Sequence, residues 1–382
     1  MEGEVDVQDV AIEQLRKHID YLPPDVFRIC VSKEGKLLWT FADPVYDSTR
    51  CPYYPPVSAT QHPEGIQTVL RSDLEELDRI VPLVDLVRCL RSTEPQKKIL
   101  TPSKLVFKYY TITERLYSVW DEMNLWMRLP KHPNIVPFDK IVVDELEHRC
   151  IGFTSVFIPG GTLEHNTTRV FKLKWLLQLI DVIDELNLNL GIAHQDVAPR
   201  NIVIDETTDS LRILDFNFSS RIGHRGYSHA RNDIKGVIFT MYEIITRDDK
   251  PRSLRHEYQN VEAIEKMVWI KHPHVQLDHP VADFRETLRQ WFHRRCLTGN
   301  QISFYTYAPQ FIDWPDPPQP PSSEVVVRYA NGPVTELRSV WDEGRTTMQK
   351  QGKTVLNWQR PPQCRLEPGD RLLETGEFIQ YV

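Results

Sequence analysis

Three side chains that present oxygen to their surroundings, Asp196, Asn201 and Asp215, fall in two neighbouring runs. His194–Asn201 reads His-Gln-Asp-Val-Ala-Pro-Arg-Asn, and Leu211–Asn217 reads Leu-Arg-Ile-Leu-Asp-Phe-Asn. Two carboxylates and a carboxamide brought to one cleft suit a hard divalent cation, which prefers oxygen ligands and shares them with phosphate oxygens. On residue types alone a second reading stays open, in which these are ordinary loop and turn residues.

The elements between and around these residues decide whether they can meet. Asn201–Asp205 and Leu211–Leu214 read as short strands separated by the polar turn Glu206-Thr-Thr-Asp-Ser210. A hairpin of this kind returns Asp215 toward the loop that holds Asp196 and Asn201. Upstream, Lys104–Lys108 alternates as a strand, and residues 113–129 have helical periodicity and end at Lys131-His-Pro-Asn-Ile-Val136. Ile141–Asp144 and Cys150–Phe157 read as strands that lead into Ile158-Pro-Gly-Gly-Thr-Leu163. The apolar run Trp175–Leu186 predicts a buried helix, and Val281–His293 a further one.

Taken in this order, the segments resemble the protein kinase-like superfamily. The resemblance covers residues 74–297 and implies an α+β, two-lobed kinase-like fold with N-terminal and C-terminal extensions. It also implies ATP and Mg2+ as cofactors. Asp196 would orient or deprotonate an acceptor hydroxyl, while Asn201 and Asp215 would hold the metal on the nucleotide phosphates. Lys108 would contact the alpha and beta phosphates, and Glu122 would pair with Lys108. Val156 and Ile158 would offer backbone hydrogen bonds to adenine, with Ser155 a small residue at the back of that pocket. Asp233, opening the helical run Asp233–Ile245, would brace the loop of Asp196, and His194 would be a packed structural histidine. A surface lysine, a solvated glutamate and a plain strand-to-turn transition are the alternative readings of Lys108, Glu122 and the Val156–Ile158 stretch.

The chain also departs from that family. Gln195 stands where most protein kinases carry Arg, and Asn217 where they carry Gly. No glycine occurs between Gly65 and Gly152, so a glycine-rich phosphate loop cannot precede Lys108, and a differently built roof is expected within residues 82–103. The connector Phe218–Asn232 is short and lacks Ala-Pro-Glu, so the usual platform for a peptide is missing or rebuilt, and little segment is left for phosphorylation to order. It is basic instead, with Arg221, His224, Arg225, His229 and Arg231 facing either an anionic acceptor or the phosphates, or simply lying on the surface. Two functions follow as hypotheses. One is a phosphotransferase acting on a hydroxyl of an unidentified protein or small-molecule acceptor. The other is a pseudokinase serving as a nucleotide-binding or protein-interaction module.

Four regions are expected: residues 1–73 as an N-terminal extension with a helix and a β-hairpin, 74–158 as an N-lobe, 159–297 as a C-lobe, and 298–382 as a Pro-rich linker and small β-rich tail. In that tail Glu324–Tyr329, Lys353–Asn357 and Asp370–Leu373 read as strands, and Leu356-Asn-Trp-Gln-Arg-Pro-Pro362 adds a likeness to uncharacterised kinase-like proteins of filamentous fungi. The 382 residues carry a formal charge of -7, which gives no general attraction to nucleic acid or an acidic membrane. The six cysteines lack Cys-x-x-Cys spacing, as expected of reduced thiols in the cytoplasm or nucleus. No membrane span and no signal peptide are expected, and the sequence leaves oligomeric state open.

Overall fold

The structure is a computed structural model that describes residues 7–23, 26–42, 51–90, 104–111, 115–297, 301–320, 322–329, 332–339, 345–356, 371–372 and 378–379. The chain divides into two compact units: 1–54 with 111–116 and 319–359, and 55–110 with 117–318 and 360–382. In the first unit helix α1 (Val7–Arg16) precedes a hairpin of β1 (Arg28–Val31) and β2 (Leu37–Phe41). Ser32 Oγ accepts from the N–H groups of Glu34 and Lys36, and His18 Nε2 bonds Gly35 O at 2.8 Å, so the turn is tied to the residues after α1.

The second unit contains a six-stranded mixed sheet. Its strands are β3 (Gln67–Leu70), β4 (Leu74–Val81), β5 (Val84–Cys89), β6 (Lys104–Tyr109), β7 (Phe138–Val143) and β8 (Cys150–Val156), with helix α2 (Leu116–Trp126) between β6 and β7 in sequence. The spatial order is β3-β7-β8-β6-β5-β4; only the β3–β7 pair is parallel. Alternation in β6 buries Leu105, Phe107 and Tyr109 on one face and turns Val106 and Lys108 to the other. Gly152 of β8 lies opposite Tyr109, where an added Cβ would come within 2.1 Å of Lys108 O. That close approach of two backbones explains the glycine.

Beyond the sheet, β9 (Val170–Phe171) leads into α3 (Leu173–Asp184), which buries Trp175, Leu176, Leu179, Ile180, Val182 and Ile183. Complete burial of such aliphatic side chains contributes about 1.5–3 kcal/mol each. The helix widens into a π turn over Glu185–Asn189, and β10 (Ile192–Ala193) follows. Next come the hairpin β11 (Ile202–Asp205) and β12 (Ser210–Ile213), the short strand β13 (Ser220–Arg221) paired with β10, and α4 (Asp233–Thr246). Asn232 caps α4 by accepting from the N–H groups of Ile234 and Lys235. Helices α5 (Lys250–Ser253) and α6 (Val261–Lys266), β14 (Gln276–Leu277), parallel to β9, and α7 (Val281–Leu297) complete this part.

Among the described residues of the tail, β15 (Ser322–Tyr329) and β16 (Gly332–Ser339) form an antiparallel ladder in the first unit, followed by helix α8 (Arg345–Lys350). Residues 353–356, expected as part of a strand, carry no strand; the preceding residues form a helical turn closed by Gly352 at φ +74. Residue 357 lies outside the described residues. A two-residue ladder joins β17 (Arg371–Leu372) to β18 (Phe378–Ile379). No helix among the described residues is long and apolar enough to cross a membrane.

Candidate active site

Lys108 sits at the end of the exposed-side row of β6, and its ammonium meets two carboxylates. Nζ lies 2.8 Å from Glu122 Oε2 and 2.5 Å from Asp215 Oδ1. Glu122 is fully buried on α2; its side-chain exposure is 0% against 19% for Lys108 and 27% for Asp215. Burial alone would lower the Lys108 ammonium, but Glu122 and Asp215 outweigh it and hold the group above its ordinary range. Burial raises the Glu122 carboxyl to about 7, with Lys108 opposing and Asp215 adding to the rise. For Asp215 the attraction of Lys108 overcomes burial and leaves the carboxyl below its usual value. The lysine is therefore charged and shared. Two of its three N–H donors are engaged, and one is left for another acceptor.

The loop of Asp196 is built from below. Asp233, buried at the start of α4, accepts from the backbone N–H of His194 (2.8 Å) and of Gln195 (2.7 Å), and from Asn187 Nδ2 (2.8 Å). Gln195 is held at φ +63, a region that favours glycine, so the brace fixes a conformation the residue would not choose alone. Gly236 of α4 makes room for this loop, since a Cβ there would lie 2.9 Å from Val197 Cβ. His194 is buried, packs against Phe216 and bonds Leu214 O through Nε2 at 3.2 Å.

Asp196 is buried and has both carboxylate oxygens engaged. Arg200 donates to Oδ1 at 2.5 Å and Asn201 Nδ2 to Oδ2 at 2.7 Å. Asn201 Nδ2 also reaches Asp196 O at 2.8 Å, which fixes the amide so that Oδ1 is its open atom. Leu214 N–H donates to Asn201 O at 3.1 Å, and the hairpin register Ile202 to Ile213 brings Asp215 beside Asn201. Asp215 itself is at φ +64. The hairpin thus brings together Asp196, Asn201 and Asp215, while β6 adds Lys108 and α2 adds Glu122. Among the described residues no group of three or more His, Cys, Asp or Glu is arranged to hold a metal. One carboxylate and one amide oxygen fit a Mg2+ that takes most of its ligands from phosphates and water, not a cation caged by protein.

Val156 is the last residue of β8, and Ile158 follows two positions later. The Val156 N–H is taken by Pro137 O at 3.0 Å. Phe157 N–H goes to Lys104 O at 3.2 Å, while neither backbone group of Ile158 has a hydrogen bond among the described residues. Val84 and Leu86 on β5, Val106 on β6 and Ser155 on β8 share the face of Lys108 by register. The first three are half-buried, which gives an apolar ceiling between Lys108 and Ile158.

Some features were not anticipated. Of the expected roof, residues 91–103 lie outside the described residues, and β4 and β5 join directly through Pro82 and Leu83. Leu83 has φ +67, and its carbonyl accepts from Tyr109 N–H at 3.1 Å. The basic connector does not present all its charges to an acceptor: Arg221 is buried against Trp314, and Arg225 lies 3.9 Å from Asp121 and 3.5 Å from Asp316. Gln195 has four polar neighbours that tie it to the connector. Its two Nε2 hydrogens are shared among Phe218 O, Ser220 Oγ and Gly226 O, and its Oε1 accepts from Ser228 N–H.

No protein-family model matches the chain. Curated relatives do. CBL-interacting serine/threonine-protein kinase 5 of Arabidopsis thaliana is 32% identical over 104 residues, 25% of this chain and 21% of the relative. CBL-interacting serine/threonine-protein kinase 20 of the same plant is 30% identical over 148 residues, 31% of this chain and 33% of the relative. CBL-interacting protein kinase 15 of rice (Oryza sativa subsp. japonica) is 30% identical over 100 residues, 25% and 22% of the two chains. This is a distant and partial similarity to serine/threonine protein kinases, and this chain spans a third or less of each of these relatives.

Proposed function

We propose that the chain is an ATP- and Mg2+-dependent phosphotransferase with a two-lobed kinase-like core, acting on a hydroxyl of a protein or small-molecule acceptor. The observation that carries this reading is the Lys108–Glu122–Asp215 cluster beside the Asp196–Asn201 pair. The partial likeness to serine/threonine kinases supports it. Lys108 directs its remaining N–H at the alpha and beta phosphates, with Glu122 fixing the ammonium. Asn201 Oδ1 and the second oxygen of Asp215 hold the metal, which when bound neutralises phosphate charge and orients the transferred group. Asp196 receives the acceptor hydroxyl on a carboxylate lone pair and positions it for attack. The open backbone of Ile158 and the ceiling of Val84, Leu86 and Val106 take the adenine.

A binding module without chemistry is the second reading, and the glycine-free Pro82–Leu83 turn favours it because this turn brings few backbone N–H groups to phosphates. Calorimetric titration with Mg-ATP separates the parts of the proposal. Wild type is expected to bind with magnesium present and weakly without it, and Asp215→Asn to lose about 10-fold or more in affinity, as expected when a charged metal ligand becomes neutral. Equal affinity in the two proteins would refute the metal role.

A further inference from the structure

After α7 the chain returns along the second unit. Tyr305 N–H donates to Ile222 O, Gln310 N–H to Asn189 O and Ile312 N–H to Leu190 O. The stretch expected to be a linker is extended here, but Ile312, Trp314 and Pro317 are buried. Its contacts converge on two places that matter for the cluster described above. The first is α2 immediately before Glu122: Trp314 Nε1 donates to Asp121 Oδ1 at 2.9 Å, and Trp120 Nε1 donates to Pro315 O at 2.8 Å. The second is Arg221 on β13, the strand paired with the residues just before His194. The Arg221 guanidinium lies 4.4 Å from the Trp314 ring centre, donates to Trp314 O at 3.3 Å and forms an ion pair with Asp313.

We propose that residues 313–316 are a positioning strap that holds α2 at the distance where Glu122 meets Lys108. This rests on the phosphotransferase reading only for its consequence, not for its mechanics. Trp120, Asp121 and Glu122 are consecutive, so gripping the first two fixes the direction in which the third leaves the helix. Arg221 anchors the other end of the grip to the strand next to the Asp196 loop. The short connector is already tied down by Gln195 and needs no added charge to order it. Trp314 and Asp121 are positioning residues and touch no substrate.

The test uses the full chain and two variants. Trp314→Ala removes the ring and the indole N–H; Trp314→Phe keeps a ring over Arg221 and removes the donor to Asp121. Amide hydrogen exchange is read in α2 and, as an internal reference, in α7. Trp314→Ala is expected to speed exchange in residues 118–125 about 10-fold or more with α7 unchanged, and Trp314→Phe by a smaller factor, because local opening need not follow global unfolding. Mg-ATP affinity should fall about 10-fold in Trp314→Ala but not further when Glu122→Gln is already present, since the two changes act through one side chain. Unchanged α2 exchange, or an equal rise in α7, overturns the strap, and Trp314→Phe decides the matter if Trp314→Ala does not fold. If wild type binds no Mg-ATP, the phosphotransferase reading fails while the exchange arm still decides whether the strap holds α2.

Discussion

Asp233 offers the sharpest test of how the loop of Asp196 is held. Its two carboxylate oxygens collect three donors at 2.7–2.8 Å: the backbone N–H of His194, that of Gln195, and Asn187 Nδ2. Replacing it by Ala strands two backbone donors and one of the two Asn187 Nδ2 hydrogens in a buried place, the other hydrogen keeping Ile192 O at 2.8 Å. Each stranded donor costs about 1–3 kcal/mol, and Gln195 loses the bond that holds it at φ +63. The expected loss is about 4 kcal/mol, a large part of the roughly 5–15 kcal/mol that folded chains possess. With a urea slope of about 3 kcal/mol/M the midpoint should fall by roughly 1.3 M. Asp233→Asn keeps one accepting oxygen and turns an N–H toward a donor, so it should lose about half as much. Tryptophan fluorescence through a urea series reads the change. A midpoint within about 0.2 M of wild type for Asp233→Ala would refute the bracing role.

Three further outcomes follow from the geometry. Asp196→Asn should keep Mg-ATP affinity within a few fold and lower turnover by about 10²-fold or more, measured with labelled ATP and a pool of hydroxyl acceptors. Gly152→Ala places a Cβ 2.1 Å from Lys108 O, which is backbone and cannot yield cheaply, so the variant should lose more than about 3 kcal/mol or fail to accumulate as folded protein. Asp205 is held down to about 2 by the Thr207 hydroxyl first, then by Arg212, below its ordinary 3.8. A depressed carboxyl stabilises above its unfolded value and loses that contribution as pH falls. Asp205→Asn should therefore be less stable than wild type by up to about 2 kcal/mol at pH 7, with the gap closing between about pH 4 and pH 2 in urea titrations.

What the sequence made legible was local. The spacing of Asp196, Asn201 and Asp215 is read directly because a short hairpin links them, and its alternation Ile202-Val-Ile against Leu211-Arg-Ile appears in the ladder as expected. The apolar helix after residue 172 and the strand ending at Lys108 were visible for the same reason. Contacts between distant positions left weaker traces. Gln67–Leu70 joins the sheet beside β7 although it is short and half polar, and nothing nearby in sequence announces a parallel partner at residues 140–143. Trp314 meets Asp121 across 193 positions. Its one cue was an aromatic residue in a proline-rich run, where a side chain that large gains little unless it is buried. Leu83 at positive φ had no cue, since that conformation normally draws Gly or Asn.

The Pro82–Leu83 turn changes how the proposed nucleotide site would divide its labour. Val84 lies opposite Lys108 in the β5–β6 ladder, and Leu83 O accepts from Tyr109 N–H, so the turn ends level with the lysine. Proline has no N–H to offer, and Leu83 carries a side chain where a glycine would let backbone approach a phosphate. In the proposed site, then, the groups that would answer phosphate charge are Lys108, Asn201 and, through a metal, Asp215. Glu122 sets the lysine's direction, and α2 sets that of Glu122. A site of this construction depends on the alignment of one helix more than a site roofed by several backbone donors would. On the proposed reading, that dependence would be the physical reason for the contacts of Trp120, Trp314 and Arg221 at α2 and its strap.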